Sequence, residues 1–267
     1  MTGGLSAKAY KGQSLRLPNG RPPRASTREA GAFADLRSRG IRIIINNKKA
    51  QKIMDNRNFI ARRAAKYFKP GDVVNVGIGI PSLCGSYAAE GVMFETENGG
   101  LGVGESIAED ENTRRFTNAG GVHYRPVAGA SYFSSALSFG MIRGGRMDAT
   151  VLGGLQVSKD GDLANWSNGH KIFGMGGAMD LVNGVKKVIV AMELCTKDGK
   201  PKILNQCTLP LTGLKCVNHI VTELCVIDVT KEGLVLREVR EGHTAEEIQS
   251  LVEPELIIAS DLKVMEE

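Results

Sequence analysis

The residues best suited to covalent chemistry sit in the run Glu95-Thr96-Glu97-Asn98-Gly99. A carboxylate can serve as a nucleophile or as a general acid or base. Glu97 is followed by Asn98-Gly99, a tight-turn dipeptide, which predicts a carboxylate held at a sharp bend after a strand. Glu95 lies two residues earlier, on the same strand face if the strand extends that far, and competes for any catalytic role. A lone Glu is most often a solvated surface charge, so spacing alone does not choose between them.

Other runs with chemical potential are weaker. Gly77-Ile78-Gly79 would need a third glycine at position 82 to match a dinucleotide fingerprint, but Ser82 stands there after Pro81. In Gly174-Met-Gly176-Gly177-Ala178-Met-Asp180, three glycines in four residues can aim backbone N–H groups at an anion, although a flexible turn fits equally well. His123, His170, His219 and His243 are scattered, so no metal site is expected, and no Gly-x-Ser-x-Gly nucleophile elbow occurs. The five cysteines include no close pair and read as reduced thiols of a cytoplasmic protein.

The elements that must position these residues alternate. Asp55 is placed to cap a helix running to about Phe68, with Ile60, Ala64, Tyr67 and Phe68 on one apolar face. Lys69-Pro70-Gly71-Asp72 stops it. Val73–Ile80 reads as a buried parallel strand, and Ser82 as the cap of a helix through about Ala89. Val92–Thr96 is a short strand ending at Glu97. Tyr124–Pro126 is extended, Ser131–Met141 is a helix, and Ala149–Leu152 and Val188–Met192 are strands. His219–Val229 and Gly233–Glu238 read as paired strands, and Thr244 with Glu247 forms a capping box. Strand–helix alternation with glycines at strand ends predicts an α/β fold with a mainly parallel, doubly wound sheet. Ligands of such sheets lie beyond the carboxyl ends of the strands, where Gly77–Pro81 and Glu97–Gly100 both fall.

The net charge of +5 hides an asymmetry: residues 1–53 hold 12 Lys/Arg against 2 Asp/Glu, and the remainder hold 22 against 27. The basic balance is therefore no argument for nucleic-acid binding by the body of the chain. Residues 1–53 read as a basic, disordered or non-native leader, and residues 54–267 as a single domain beginning at Met54. No apolar run approaches the roughly 20 residues that cross a bilayer, so no membrane association is expected.

Taken together, several motifs resemble the β subunit of two-subunit 3-oxoacid CoA transferases of the acetate/acetoacetate/butyrate type. They are Val74-Asn75-Val-Gly77-Ile-Gly79-Ile-Pro81, Glu97-Asn98-Gly99, Ser138-Phe-x-Met141-Ile-Arg143-Gly144-Gly145 and the 174–180 run, with Lys186–Glu193 and Thr208–Gly213 as further matches. The resemblance spans roughly Asp55 to Leu256. It implies the fold shared by CoA transferases and sugar-phosphate isomerases, and transfer of coenzyme A between an acyl-CoA and a short-chain carboxylic acid through a glutamyl-CoA thioester. It implies Glu97 as the catalytic residue, with support from Asn75, Gly177 and Ala178. Gly77, Gly79, Asn98, Gly99 and Gly176 become candidates to line the substrate or CoA site. It also implies an α-subunit partner, with α₂β₂ as the expected assembly, and no permanently bound cofactor, coenzyme A entering as substrate. The sequence departs from the family at Thr96, where Ser is usual, and at Gly104-Glu105, where Gly-Pro is usual; the stretch from Pro81 to Glu97 is slightly short, and residues 1–53 have no counterpart. Two other readings use the same fold: a non-catalytic effector-binding module and an isomerase-like enzyme.

Overall fold

Uninterrupted apolar runs build the centre of the molecule. The computed structural model describes residues 56–108 and 115–266. The expected leader 1–53, the start at Met54 and the cap at Asp55 lie outside the described residues. Helix α1 covers residues 56–65 and buries Phe59, Ile60, Ala61, Ala64 and Ala65. Its last turn tightens through i→i+3 bonds up to Phe68 N–H to Ala65 O (3.1 Å), which is how the chain leaves the helix before Pro70.

The strands are β1 (Val73–Val76), β2 (Met93–Thr96), β3 (Gly100–Ser106), β4 (Tyr124–Tyr132), β5 (Ala149–Leu152), β6 (Gln156–Ser158), β7 (Leu163–Ala164), β8 (Val188–Ala191), β9 (Ile203–Leu204), β10 (His219–Val221), β11 (Cys225–Val229), β12 (Leu234–Arg240) and β13 (Leu256–Met265). The helices after α1 are α2 (Ser135–Arg143), α3 (Ala178–Gly184) and α4 (Ala245–Ser250). One ten-stranded sheet runs β13-β12-β11-β10-β8-β5-β1-β2-β3-β4, and β7-β6-β9 form a small second sheet. The block β2-β1-β5-β8-β10 is parallel throughout. Antiparallel partners extend it on both sides, β3 and β4 beyond β2, and β11 and β12 beyond β10. In chain order the parallel block reads 2-1-3-4-5, so its direction of winding reverses between β1 and β5, the place where open α/β sheets bind ligands.

Both faces of that block are covered. On β8, Val188 and Val190 pack in one cluster with Ile142 of α2, Leu181 of α3 and Ile248 of α4. The alternate residues Ile189 and Ala191 join α1 in the other. Full burial of β5 and β8 explains their unbroken apolar character. The expected mainly parallel, doubly wound sheet is present at the centre.

Several boundaries differ from expectation. The strand expected over Val73–Ile80 stops at Val76, because Gly77 N–H turns to Val151 O (2.8 Å) and Gly79 takes φ +91°. The chain then winds a 3₁₀ turn over Pro81–Ser86 instead of an α-helix to Ala89, and the Ser82 hydroxyl donates back to Gly79 O (2.8 Å) instead of capping it. The helix expected from Ser131 begins at Ser135 after Ser134, whose side chain accepts the Leu137 N–H, since Ser131 and Tyr132 still pair with β3. His219–Val229 is two strands. Thr222 Oγ1 accepts the N–H groups of Leu224 (3.2 Å) and Cys225 (2.9 Å) and closes a turn between β10 and β11. The capping box of α4 is present with both of its bonds. Among the described residues no helix is long and apolar enough to cross a membrane.

Candidate active site

The parallel pairing sets a row of polar side chains across an apolar sheet. Asn75 stands opposite Glu95 on β2 and opposite Thr150 on β5. All three are buried, at 0%, 1% and 0% exposure. Such residues persist in a core only when they satisfy one another. Thr150 Oγ1 lies 3.3 Å from Asn75 Oδ1, and Asn75 Nδ2 donates to Glu95 Oε2 at 2.9 Å. From α2, Ser138 Oγ reaches Glu95 Oε1 at 2.5 Å.

Glu97 enters this row from a hairpin tip. Residues 97–99 form the loop between Thr96 and its partner Gly100, closed by Gly99 N–H to Thr96 O (2.9 Å). Gly99 has φ +113°, and a Cβ there would lie 2.1 Å from Phe133 O, so the loop demands glycine. The same position ties the loop to the approach to α2 through Phe133 N–H to Gly99 O (3.0 Å). Asn98 is exposed, and its amide donates to Thr117 O (2.8 Å), while Thr96 Oγ1 accepts the Ala119 N–H (2.8 Å). These bonds hold the Glu97 side chain where Asn75 Nδ2 reaches its Oε2 at 3.1 Å. Glu97 stays partly exposed, and among the described residues no hydrogen bond is made to its Oε1.

The glycine-rich run arrives from the other side. A Cβ on Gly177 would fall 3.1 Å from Glu97 Cγ and 2.8 Å from Phe139 Cε1, so the bare backbone lies directly against the Glu97 side chain. Gly177 precedes α3 as its cap. The Ala178 N–H is already engaged, donating to Met175 O at 3.1 Å. Gly176 turns the chain at φ +51° with open space around it. Gly77 lies beside β5 at the end of β1, while a Cβ on Gly79 would lie 3.9 Å from the Arg57 guanidinium. Gly77 and Glu97 line one cavity of ≈ 70 Å³, whose walls include Val76, Ile78, Val103 and Val122. Among the described residues no Lys, Arg or His contributes to it.

The site therefore brings together Asn75, Gly77, Glu97, Gly99 and Gly177. Gly79, Asn98 and Gly176 sit at its edge, and Ala178 contributes packing at the start of α3. Burial pushes the Glu95 carboxyl above its ordinary value, against the Ser138 and Asn75 hydrogen bonds, and the Glu97 charge adds to the rise. Ser138, Thr150 and Phe139 escaped the sequence reading as site residues. Thr150 had one legible signal, a polar residue inside a strand otherwise read as apolar. Among the described residues no group of three His, Cys, Asp or Glu is arranged to hold a metal ion.

Comparison with known proteins identifies the family. A sequence-family profile described as Coenzyme A transferase matches residues 57–251. The chain is 48% identical over 205 residues to "Probable coenzyme A transferase subunit beta" of Bacillus subtilis (strain 168), covering 76% of this chain and 94% of that one. It is 44% identical over 212 residues to "Acetate CoA-transferase subunit beta" of Escherichia coli (strain K12), covering 78% and 97%. In structure it resembles the acyl-CoA transferase YdiF apoenzyme from Escherichia coli O157:H7, with TM-score 0.66 and 23% identity over 79% of this chain. It spans 43% of that longer chain, and the likeness is one of fold.

Proposed function

The chain belongs to the coenzyme A transferase family, and from that premise we propose that it is the β subunit whose Glu97 is the covalent nucleophile of the transfer. The observation that carries this is the contrast between the two carboxylates. Glu95 is buried with both oxygens engaged, whereas Glu97 is partly exposed at a rigid hairpin tip with Oε1 unengaged among the described residues.

Transfer of coenzyme A between two acids conserves the thioester, and a carboxylate nucleophile suits that task. The ionised Glu97 carboxylate attacks the acyl-CoA carbonyl and expels CoA thiolate, leaving a mixed acyl–glutamyl anhydride. The thiolate then attacks the Glu97 carbonyl, forming a glutamyl-CoA thioester and releasing the first acid. A second carboxylate attacks that thioester, and the returning thiolate takes its acyl group, regenerating Glu97. Both half-reactions use one residue, so the kinetics are ping-pong.

Each attack builds an oxyanion. This chain offers the Gly177 backbone beside Glu97, while the Ala178 N–H contributes only if its bond to Met175 opens. Loss of one such donor typically costs roughly 2.7–4 kcal/mol of transition-state stabilisation. Asn75 orients the nucleophile. The small cavity, walled in part by Val76, Ile78, Val103 and Val122, favours short aliphatic acids of the acetate, butyrate and acetoacetate class. Coenzyme A acts as substrate, and no resident cofactor is required.

An α subunit completes the site, as the "subunit beta" names of the relatives suggest, and α₂β₂ is the simplest closed assembly. Five unpaired cysteines fit a reducing, cytoplasmic setting.

The test is to co-express the chain with an α subunit, incubate with acyl-CoA and map the adduct by mass spectrometry. A CoA-mass adduct on the Glu97 peptide, absent from Glu97→Ala together with exchange activity, is expected. An adduct on Glu95, or activity surviving Glu97→Ala, overturns the assignment.

A further inference from the structure

Glu95 is a carboxylate held out of water, and among the described residues no cation is paired with it. It is 1% exposed, and its hydrogen-bond partners, Ser138 and Asn75, are both neutral. It also shares a donor with its neighbour: the single nitrogen Nδ2 of Asn75 lies 2.9 Å from Glu95 and 3.1 Å from Glu97. The two carboxylates are therefore no farther apart than the sum of those distances. Two ionised carboxylates that close, one of them fully desolvated, oppose each other's charge. Glu97 can keep part of its hydration and Glu95 cannot. The pair is best satisfied by one proton on Glu95 and one charge on Glu97.

Among the described residues, the ionisable groups on α2 and β3 are engaged elsewhere. On α2, Arg143 is engaged by Asp180 at 2.9 Å. On β3, Glu105 is exposed and faces Arg125 at 3.4 Å. The strand β1 carries no ionisable side chain. Among the described residues Glu97 is the one charged group that acts on Glu95, and it acts to keep the proton in place.

We propose that Glu95 is a positioning residue of the transfer reaction: it carries a proton on Oε1, where the Ser138 hydroxyl turns from donor to acceptor to receive it, and leaves Oε2 to hold the Asn75 amide, which aims the ionised Glu97. This rests on the reading of Glu97 as nucleophile. The Glu95 proton is a spectator through both half-reactions. Glu97 alone passes from carboxylate to anhydride to thioester and back, so no proton is exchanged with substrate. Removing the Glu95 proton sets a second negative charge beside Glu97, which disfavours its ionised form and repels an incoming carboxylate. Activity then falls as pH rises through the titration of Glu95.

The test compares Glu95→Gln and Glu95→Ala in the complex with the α subunit. The readouts are pH profiles of kcat and kcat/KM, and infrared spectroscopy of the protonated-carboxyl band. Gln keeps the acceptor for Asn75 and has no ionisable proton. It is expected to hold kcat within about fivefold of wild type and to abolish the alkaline fall. Glu95→Ala frees the amide and should lower kcat roughly tenfold to a hundredfold with little change in KM, the usual scale of a misplaced reacting group. A wild-type pH profile in Glu95→Gln, or a Gln variant as slow as Ala, overturns the proposal. If wild type shows no CoA exchange, the transferase reading fails, yet the infrared arm still decides Glu95. A protonated-carboxyl band at neutral pH that vanishes in Glu95→Gln supports the assignment, and no such band overturns it.

Discussion

Glu95 and Glu97 differ by two positions and by almost everything else. One is sealed beneath α2 and the other sits at a hairpin tip, and that difference follows from where β2 ends. Burial raises the Glu95 value, so the folded chain retains a proton that the unfolded chain releases near the ordinary carboxylate value of about 4.3. The stability linked to it is complete below that value and is lost as pH rises through the higher folded value. Melting temperatures measured across that window should fall for wild type and stay flatter for Glu95→Gln. Gly177→Ala tests the opposite wall. Its Cβ would press on Phe139 and on Glu97 Cγ, and a displacement of about 1 Å at a reacting group can cost 10²-fold in rate. Steady-state kinetics should show kcat reduced with the fold retained in circular dichroism. At this scale the family resemblance singled out Glu97, Asn75 and Gly177, whereas spacing alone left Glu97 in competition with Glu95. Ser138 and Thr150 were not legible as site residues, because a hydroxyl gains its role only from what faces it.

The β2–β3 hairpin is the element on which the site depends. Its three-residue loop uses Gly99 at φ +113°, and the Phe133 carbonyl occupies the space a side chain would need. Gly99→Ala is expected to lower stability by about 2–3 kcal/mol or more, combining backbone strain with the steric clash. Urea unfolding measures this, and activity should fall further than stability because Glu97 moves with the loop. Behind the loop, a Cβ on Gly100, Gly102 or Gly104 would approach Tyr124, Ala130 or the Arg125 carbonyl to 2.8 Å or less. These glycines let β4 close onto β3. Their clustering was legible as close backbone approach, but β3 itself was not, since a glycine-rich strand carries almost no side-chain alternation. The 3₁₀ turn at Pro81–Ser86 was misread as an α-helix for a related reason. Ser82 looks like a cap locally, yet Gly77 and Gly79 have already turned the chain toward β5.

At the scale of the whole molecule, the parallel block 2-1-3-4-5 places the carboxyl ends of β1, β2 and β5 together, and the site lies where the winding reverses. Long-range ties hold the outer strands to that block. The Arg63 guanidinium of α1 meets the Glu238 carboxylate of β12 in a bidentate pair at 2.6 and 2.5 Å. If an α subunit completes the site, the chain alone should show exchange activity at background level, and titrating in the partner should restore it to saturation at a fixed ratio. Coupled activity assays and analytical ultracentrifugation would check this, and full activity of the isolated chain would refute it.

The sequence by itself determined the fold class and the chemistry on offer. Buried parallel strands are written as apolar runs, as in Ala149–Leu152 and Val188–Ala191, and one Glu before Asn-Gly marks a strand end. Capping at Thr244 was equally legible, because both of its bonds join residues three apart. Only the tertiary structure decided which carboxylate faces solvent and which is buried. Glu95 and Glu97 have the same side chain, and their difference lies in the pairing of Asn75 with Glu95 and in the arrival of Ser138 from 43 residues away. Desolvation and shared hydrogen bonds are properties of a three-dimensional neighbourhood, and no local pattern encodes them.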